Sequence, residues 1–406
     1  WESSRMRSDA RHFAAALLAD HHAHAPQCTA FCYGTGDRVV VGLGAAQWIR
    51  YADGCVSDSH PQAGGPVAGL EETLNEFLDR TAGRWVLGYI GFGVHARRHG
   101  CLTLGAEPDL FLFTPEDTAV VDRQGLWKSG SRSGRIAPAV PAGAAAPPPL
   151  SGPTGKEFAS MVNDALSWVG REPGRRLTVA TRHSWSAQAD LVGTMAVGQH
   201  DDRGLSRSFY FRRDGLQFAG TSPELLAEGR RERFVCNKLS GTAPRANDRN
   251  SARWDRRLIR EHETAVDALA AALGAHAAVA RGERQLLRLA ELEHGLTQLV
   301  VEPKPERRLG DVLLDLVPVG ASPPNAGLHT IARLERYPRG PYYGLVGYIA
   351  PDGRMSWSQL LRTVFARHDR VWLPVGSAVT ALSTAELEVE EITVKASTVR
   401  IAATRN

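Results

Sequence analysis

The sequence predicts a mixed α/β protein whose strands run mainly antiparallel, and three observations carry that expectation. Short apolar runs bounded by glycine, proline or polar residues recur along the chain, as buried strands do. They do not alternate with helical stretches in the regular way that a parallel βαβ sheet requires. Asp214-Gly215 sits inside the strand-like stretch 208–219, where it marks a tight hairpin.

The elements follow in chain order. Arg38-Val39-Val40-Val41-Gly42-Leu43 and the run from Trp85 to Phe92 read as buried strands, with a helix over Leu70 to Arg80 between them. Residues 136–153 are rich in proline, alanine and glycine and read as an exposed connection. It joins an N-terminal part, 1–135, to a C-terminal part, 154–406, the two forming one folded unit. Beyond it, Lys156 to Val169 places Phe158, Val162, Leu166 and Val169 on one helical face. Leu177 to Arg182 is a short strand. A long helix is expected from Asp255 to Val279, with a stripe of Leu258, Val266, Leu269 and Leu273. Strand-like runs return at Tyr343 to Ile349, Leu360 to Ala366 and Val371 to Val375.

Bulk properties exclude several classes. A chain of 406 residues with 43% hydrophobic and 23% charged residues is long enough for a large core and has ordinary globular composition. Its net charge of +4 is small and scattered, which speaks against nucleic acid as a partner. The basic residues are nearly all arginine, with lysine only at 128, 156, 238, 304 and 395. Cys28, Cys32, Cys55, Cys101 and Cys236 lack paired zinc spacing and read as buried free thiols. No apolar run reaches the length of a membrane span, and the start at Trp1 lacks the apolar region of a signal peptide. A cytoplasmic protein without a membrane partner is expected.

Four stretches hold the chemistry. In Gly220-Thr221-Ser222-Pro223-Glu224-Leu225-Leu226, proline pre-sets the backbone ahead of Glu224, at the start of a turn or helix. Buried, that carboxyl suits a general acid; at a helix start it would simply complement the dipole. Leu239-Ser240-Gly241-Thr242-Ala243-Pro244-Arg245 reads as a small-residue turn offering N–H groups and a hydroxyl to a carboxylate, or as an ordinary loop. Glu261-His262-Glu263 and the segment Glu388 to Lys395 are acidic clusters far apart in sequence. If the second is helical, Glu388, Glu391 and Lys395 share a face. Carboxylates from two elements are how magnesium is commonly held, and a solvated charged face is the alternative. Arg339-Gly340-Pro341-Tyr342-Tyr343-Gly344, followed by Arg362, supplies a carboxylate clamp or structural hydrogen bonds. His21, His22 and His24 have no acidic or cysteine partner nearby and read as surface histidines.

Taken in order from Lys156 to Ile401, these stretches resemble the chorismate-utilising enzymes, the anthranilate, aminodeoxychorismate, isochorismate and salicylate synthases. Phe218 to Leu226 is similar to the family's F-x-G-x-S-P-E-x-L, and Leu239 to Arg245 to its L-A-G-T-x-x-R. Glu261-His262 resembles the E-H of its metal helix, and His294 the histidine opening the next strand. Arg339 to Gly344 resembles R-G-x-Y-x-G, Arg362 the central arginine, and Glu388 to Lys395 the closing E-x-x-E-x-x-x-K. Agreement of so many ordered motifs is implausible by chance. The closing cadence is nearest to salicylate synthases.

The resemblance implies a two-lobed α/β fold with central antiparallel sheets and outer helices. It implies Glu224 as the general acid, and Glu261 and Glu391, with Glu388 beside them, as the carboxylates for Mg2+. Gly241, Thr242, His294, Tyr342, Arg362, Gly376 and Lys395 would bind the substrate. The implied chemistry is loss of the C4 hydroxyl of chorismate as water adds, then a pericyclic transfer that expels pyruvate.

The sequence departs from the family at several places. Aligning Leu177 to Arg182 with K-V-x-L-S-R puts Leu177 where the water-activating lysine belongs, and leucine takes no proton. The 316–327 loop is short and lacks the threonine and lysine of the family's substrate-touching loop. Ser377 and Ala378 add bulk after Gly376, and Leu258 replaces the first acid of the metal helix. Three readings follow: a salicylate-synthase-like enzyme, an ammonia-using synthase with a glutamine amidotransferase partner, and a non-catalytic ligand-binding homologue. Because pyruvate elimination needs no base, a site of this kind would retain it without the lysine.

Overall fold

The structure, a computed structural model, describes residues 9–59, 64–66, 69–98, 107–139, 143–150, 152–186, 189–199, 201, 203–244, 256–289 and 292–402. Two large antiparallel sheets of eleven strands each face one another, with helices outside. The first runs from Arg132–Arg135 through Leu126–Ser129, Asp117–Asp122, Arg38–Leu43, Ala30–Gly34, Arg207–Arg213, Leu216–Ser222, Thr363–Arg367, Arg370–Val379 and Arg176–Ser186 to Ala321–Ser322. The second runs from Ala277–Arg288 through Leu292–Pro303, Arg233–Pro244, Leu225–Arg230, Arg354–Gln359, Leu345–Ile349, Val86–Ile90, Leu110–Thr114, Gln47–Ala52 and Cys55–Asp58 to Gly64–Pro66.

Strands from before and after residues 136–153 are neighbours in both sheets. Ala30–Gly34 pairs with Arg207–Arg213, and Val86–Ile90 with Leu345–Ile349. The space between the sheets is filled by aromatic residues from both. Phe211 and Phe218 of the first sheet stack with ring centroids 5.0 Å apart, and Tyr89 of the second meets Phe211 edge-on at 5.1 Å. Such pairs combine large apolar burial with a favourable ring geometry.

The hairpin forms at Asp214-Gly215, both in the left-handed region as a two-residue turn requires. The helix Leu70–Arg80 has the expected bounds, and Ala385–Ser397 is helical. The long helix is shorter than expected, spanning Arg256–Gly274. Its apolar stripe ends at Leu273, Gly274 stops it, and 277–288 instead finds a partner edge in Leu292–Pro303. The thiols also differ from expectation: Cys32 and Cys236 are buried, Cys28 and Cys55 are exposed, and Cys101 lies outside the described residues. Cys32 lies in a strand buried at every position and Cys236 inside the second sheet, whereas Cys28 lies in a loop and Cys55 at a strand end. No helix among the described residues is long and apolar enough to cross a membrane.

One buried ion pair ties the sheets' helical cover to the strand Arg176–Ser186. Arg339 Nε donates to Glu335 Oε2 at 2.9 Å, and its second arm reaches Thr178 O at 2.5 Å. Glu335 Oε1 accepts from the backbone N–H of Ala180 at 2.8 Å, while the guanidinium lies 4.1 Å over the Phe92 ring. Arg339 therefore serves the fold, not a ligand. Glu335→Ala leaves this buried cation unpaired and is expected to lower the unfolding free energy by about 3–5 kcal/mol. Urea unfolding checks this, and a loss well under about 1 kcal/mol would remove the pair from the framework.

Candidate active site

A cavity of about 900 Å³ of empty space opens where the chain passes from one sheet to the other. Two such passages form its floor. The segment Ser222-Pro223-Glu224 leaves Leu216–Ser222 of the first sheet for Leu225–Arg230 of the second. The segment from Gln359 to Thr363 returns from Arg354–Gln359 to Thr363–Arg367 and carries Arg362. The passages are tied together, since Gln359 N–H donates to Glu224 O at 2.8 Å. Glu224 thus lies in a short connection between strands; of the turn or helix start that the Ser-Pro context suggests, the helix does not form.

Ten of the eleven sequence-derived site residues line this cavity: Glu224, Gly241, Thr242, Glu261, His294, Tyr342, Arg362, Gly376, Glu391 and Lys395. Glu388 does not. It sits one turn before Glu391, buried, with Oε2 lacking a hydrogen-bond partner among the described residues. Burial, together with the Glu391 charge, raises the pKa of its carboxyl. Glu261, Glu388 and Glu391 do not come together as a closed three-residue metal group, and no such group occurs among the described residues. A helix turn puts Glu388 and Glu391 on neighbouring rows, so only one of them reaches the cavity wall.

Local structure explains how each side chain is aimed. The segment around Gly241 is not a turn but a bulged strand: register shifts between Ser240 and Thr242, and Gly241 takes a φ of 68°. Gly376 permits close strand approach, because a Cβ there would lie 2.6 Å from Val179 O. His262 is fully buried and holds the helix Arg256–Gly274 to the second sheet. Its Nδ1–H donates to Ser240 O at 3.1 Å, and its Nε2 accepts from Thr297 Oγ1 at 2.8 Å. That anchor places the adjacent Glu261 on the cavity wall.

Arg362 is the most exacting feature. It is half-buried, sits in the left-handed region with φ 52°, and donates to Thr398 Oγ1 at 2.6 Å and to His294 Nε2 at 3.3 Å. No carboxylate among the described residues forms an ion pair with it, and burial lowers its pKa to about 10. A guanidinium only donates, so His294 Nε2 must accept and its proton rests on Nδ1, facing Thr242 Oγ1 at 3.3 Å. Burial first, then Arg362 and Lys395, push His294 down to about 3, keeping it neutral. Burial raises the Tyr342 hydroxyl well above its usual range, so it stays a donor. Lys395 donates to Glu391 at 2.5 Å and to Gly376 O at 3.1 Å.

These observations describe a cavity of mixed polar and apolar lining that holds a cation without an internal ion pair, as suits an anionic ligand. The profile of the chorismate binding enzyme family matches residues 55–400. The chain belongs to the chorismate-binding enzyme family. The salicylate synthase of Mycolicibacterium paratuberculosis is 25% identical over 400 residues, covering 90% of this chain and 85% of that protein. Anthranilate synthase component 1 of Geobacillus stearothermophilus is 29% identical over 203 residues, covering 47% of this chain and 40% of its own. The menaquinone-specific isochorismate synthase of Escherichia coli shares the fold at a TM-score of 0.69 and 18% identity, covering 96% of this chain and 90% of that one. Anthranilate synthase component I of Streptococcus pneumoniae gives 0.68 at 18% identity, over 89% and 91% of the two chains.

Within this chorismate-binding enzyme, two sequence-derived expectations need correction. Leu177 does not face the cavity; it is buried against Gly327 on the far side of its strand, while Arg176 and Thr178 line the cavity. Side chains alternate along a strand, so a shift of one residue in alignment exchanges the two faces. The strand still presents no lysine: Arg176 occupies the wall, and its guanidinium takes up no proton. Nor does the 316–327 loop touch the cavity. Its Ala321–Ser322 instead pairs with the outer end of Arg176–Ser186.

Sequence reasoning missed Lys238, whose Nζ donates to Glu224 Oε1 at 2.6 Å, with side chains only 15% and 6% exposed. The usable signal was rarity: two of the five lysines in this arginine-rich chain, Lys238 and Lys395, lie on the cavity wall.

The buried histidines make stability depend on pH. Burial is the main cause that lowers His262 to about 4 and His294 to about 3, so the unfolded chain binds protons near pH 6.5 that the folded chain refuses. Stability contributed by each is complete above that value and is lost as pH falls below it, by about 1.4 kcal/mol per pH unit. His262→Gln removes one such group, and its deficit relative to wild type is expected to narrow between about pH 7 and pH 5. Urea unfolding at several pH values reads this directly; a constant gap would mean His262 is already charged in the fold.

Proposed function

We propose that this enzyme is salicylate-synthase-like and magnesium-dependent, acting on chorismate or a close relative by loss of the C4 hydroxyl, elimination of pyruvate, or both. The observation that carries the reading is Arg362, a half-buried cation on the cavity wall with no carboxylate partner among the described residues. Such a charge is costly unless an anion meets it, and a substrate carboxylate supplies that anion. Similarity to a salicylate synthase over most of both chains supports the same choice.

In this reading Arg362 and the Tyr342 hydroxyl take one carboxylate of the substrate. His294, neutral and fixed by Arg362 and Thr242, holds those two walls at a set distance. The Gly241-Thr242 bulge offers backbone N–H groups and a hydroxyl to the second carboxylate. Glu224 and Lys238 lie on the wall against which the hydroxyl departs. Enclosure by Tyr342, Leu361, Leu373 and Val375 excludes water and holds the enolpyruvyl arm over the ring, which is what a pericyclic elimination needs.

The donor set suits magnesium. Glu261 and Glu391 approach the cavity from two separate helices, and one or two carboxylates plus substrate oxygens and waters are this ion's usual shell. The buried, unpartnered Oε2 of Glu388 beside Glu391 also calls for positive charge at this end. When bound, the ion would neutralise the ring carboxylate and orient it.

A second reading, an ammonia-using synthase, draws on Arg176, since no proton acceptor faces the cavity from the strand Arg176–Ser186 at neutral pH. Product analysis separates the two. Purified protein with magnesium and chorismate, with and without ammonium, and separately with isochorismate, is expected to give salicylate or isochorismate, with pyruvate released whenever salicylate forms. An amino product that requires ammonium would replace the first reading by the second. No product under any of these conditions would overturn both.

Glu391→Gln is expected to raise the magnesium needed for half-maximal rate at least about tenfold. An unchanged magnesium titration would take Glu391 out of the metal site.

A further inference from the structure

Arg176 lines the cavity, yet the reading above gives it no contact with the substrate. It opens the strand Arg176–Ser186, one residue outside Leu177, where pairing with Arg370–Val379 ends. Its strand partner is Ser322, in the two-residue strand at the sheet's edge. Arg176 and Ser322 are both half-buried. Thr178, the next cavity-facing residue along the strand, is buried, and its Oγ1 accepts from the Tyr343 hydroxyl at 3.2 Å. Arg176 therefore stands at the rim of the cavity, with Thr178 further in.

The two arginines on the cavity wall differ in how they are held. Arg362 is fixed by Thr398 and His294, so its guanidinium presents donors in a set direction. Arg176 makes no hydrogen bond or ion pair with any described residue. A long side chain that nothing holds supplies charge without a defined geometry. Charge alone acts over the Debye length, about 10 Å at 0.1 M salt. With one carboxylate of the substrate on Arg362 and the other at the Gly241-Thr242 bulge, no anionic group of the seated molecule is left for Arg176.

We propose that Arg176 is a capture residue: it draws a doubly charged dicarboxylate to the rim by charge, ahead of Arg362, and so favours dianions over singly charged or neutral ligands. The role rests on the reading that the substrate is such a dicarboxylate. Coulomb attraction grows with the ligand's charge, which gives the preference its sign. The guanidinium keeps its proton at neutral pH, so Arg176 takes no part in the bond-breaking steps.

The test is a charge series at position 176, read as kcat and KM at constant free magnesium. The substrate is chorismate, or isochorismate if that alone is turned over. Assays run in about 10 mM and about 1 M salt, where the Debye length falls from about 30 Å to about 3 Å. In low salt Arg176→Gln is expected to raise KM about tenfold, with kcat within about twofold of wild type. Arg176→Lys is expected to keep the wild-type KM, and Arg176→Glu to raise it beyond the glutamine variant. In high salt the gap between wild type and Arg176→Gln is expected to close to less than about twofold.

An unchanged KM for Arg176→Gln in low salt would remove Arg176 from capture. A gap that persists in high salt would make it a fixed contact of the seated ligand, and a fall in kcat at constant KM would place it in the chemistry. Each of these overturns the proposal and leaves the proposed function standing, because wild type still turns over its substrate. If wild type neither converts nor binds chorismate or isochorismate, by equilibrium dialysis, the proposed function and the capture role fall together.

Discussion

The hydrogen bond between Gln359 N–H and Glu224 O joins the two points where the chain crosses between the sheets, and the active cavity exists because of those crossings. A strand interior exposes side chains only above and below its sheet. A crossing segment belongs to neither sheet, and its side chains turn into the space between the sheets' ends. Glu224 and Arg362 are both residues of this kind. Tyr343 N–H to Leu360 O and Leu360 N–H to Gly344 O, at 3.0 and 2.7 Å, lock the second crossing to the Tyr342-Tyr343 segment. The left-handed backbone at Tyr343 and Arg362 is tolerated because these bonds over-determine it.

Charge then organises what the crossings place there. Four cations line the cavity, Arg176, Lys238, Arg362 and Lys395, against three carboxylates, Glu224, Glu261 and Glu391. Lys238 and Lys395 are matched internally by Glu224 and Glu391. Arg362 is not matched, and neither is Arg176 among the described residues, so the cavity holds positive charge where an acidic ring compound would seat. Neutral His294 spaces Arg362 from Thr242 without adding charge of its own.

The same economy of roles separates residues that look alike in sequence. Arg339 and Arg362 both read as carboxylate clamps, yet Arg339 is engaged by Glu335, Thr178 O and the face of Phe92, away from the cavity. Glu388 and Glu391 read as equivalent acids, yet only Glu391 meets the cavity. Glu261 and His262 are adjacent, one serving the site and the other fastening the helix that carries it.

Sequence by itself determined ten of the residues that line the cavity and the antiparallel α/β class, because both rest on local order: motif spacing, hairpin turns and apolar runs. It placed the hairpin at Asp214-Gly215 and the helix Leu70–Arg80 for the same reason. It did not determine which face of Arg176–Ser186 meets the substrate, since a register ambiguity of one residue reverses every side chain on a strand. It did not reveal the Lys238–Glu224 pair, whose members lie 14 residues apart on different strands. Only the tertiary structure decided those points. Burial, pairing and orientation arise where distant segments meet, and no local pattern encodes the distance between them.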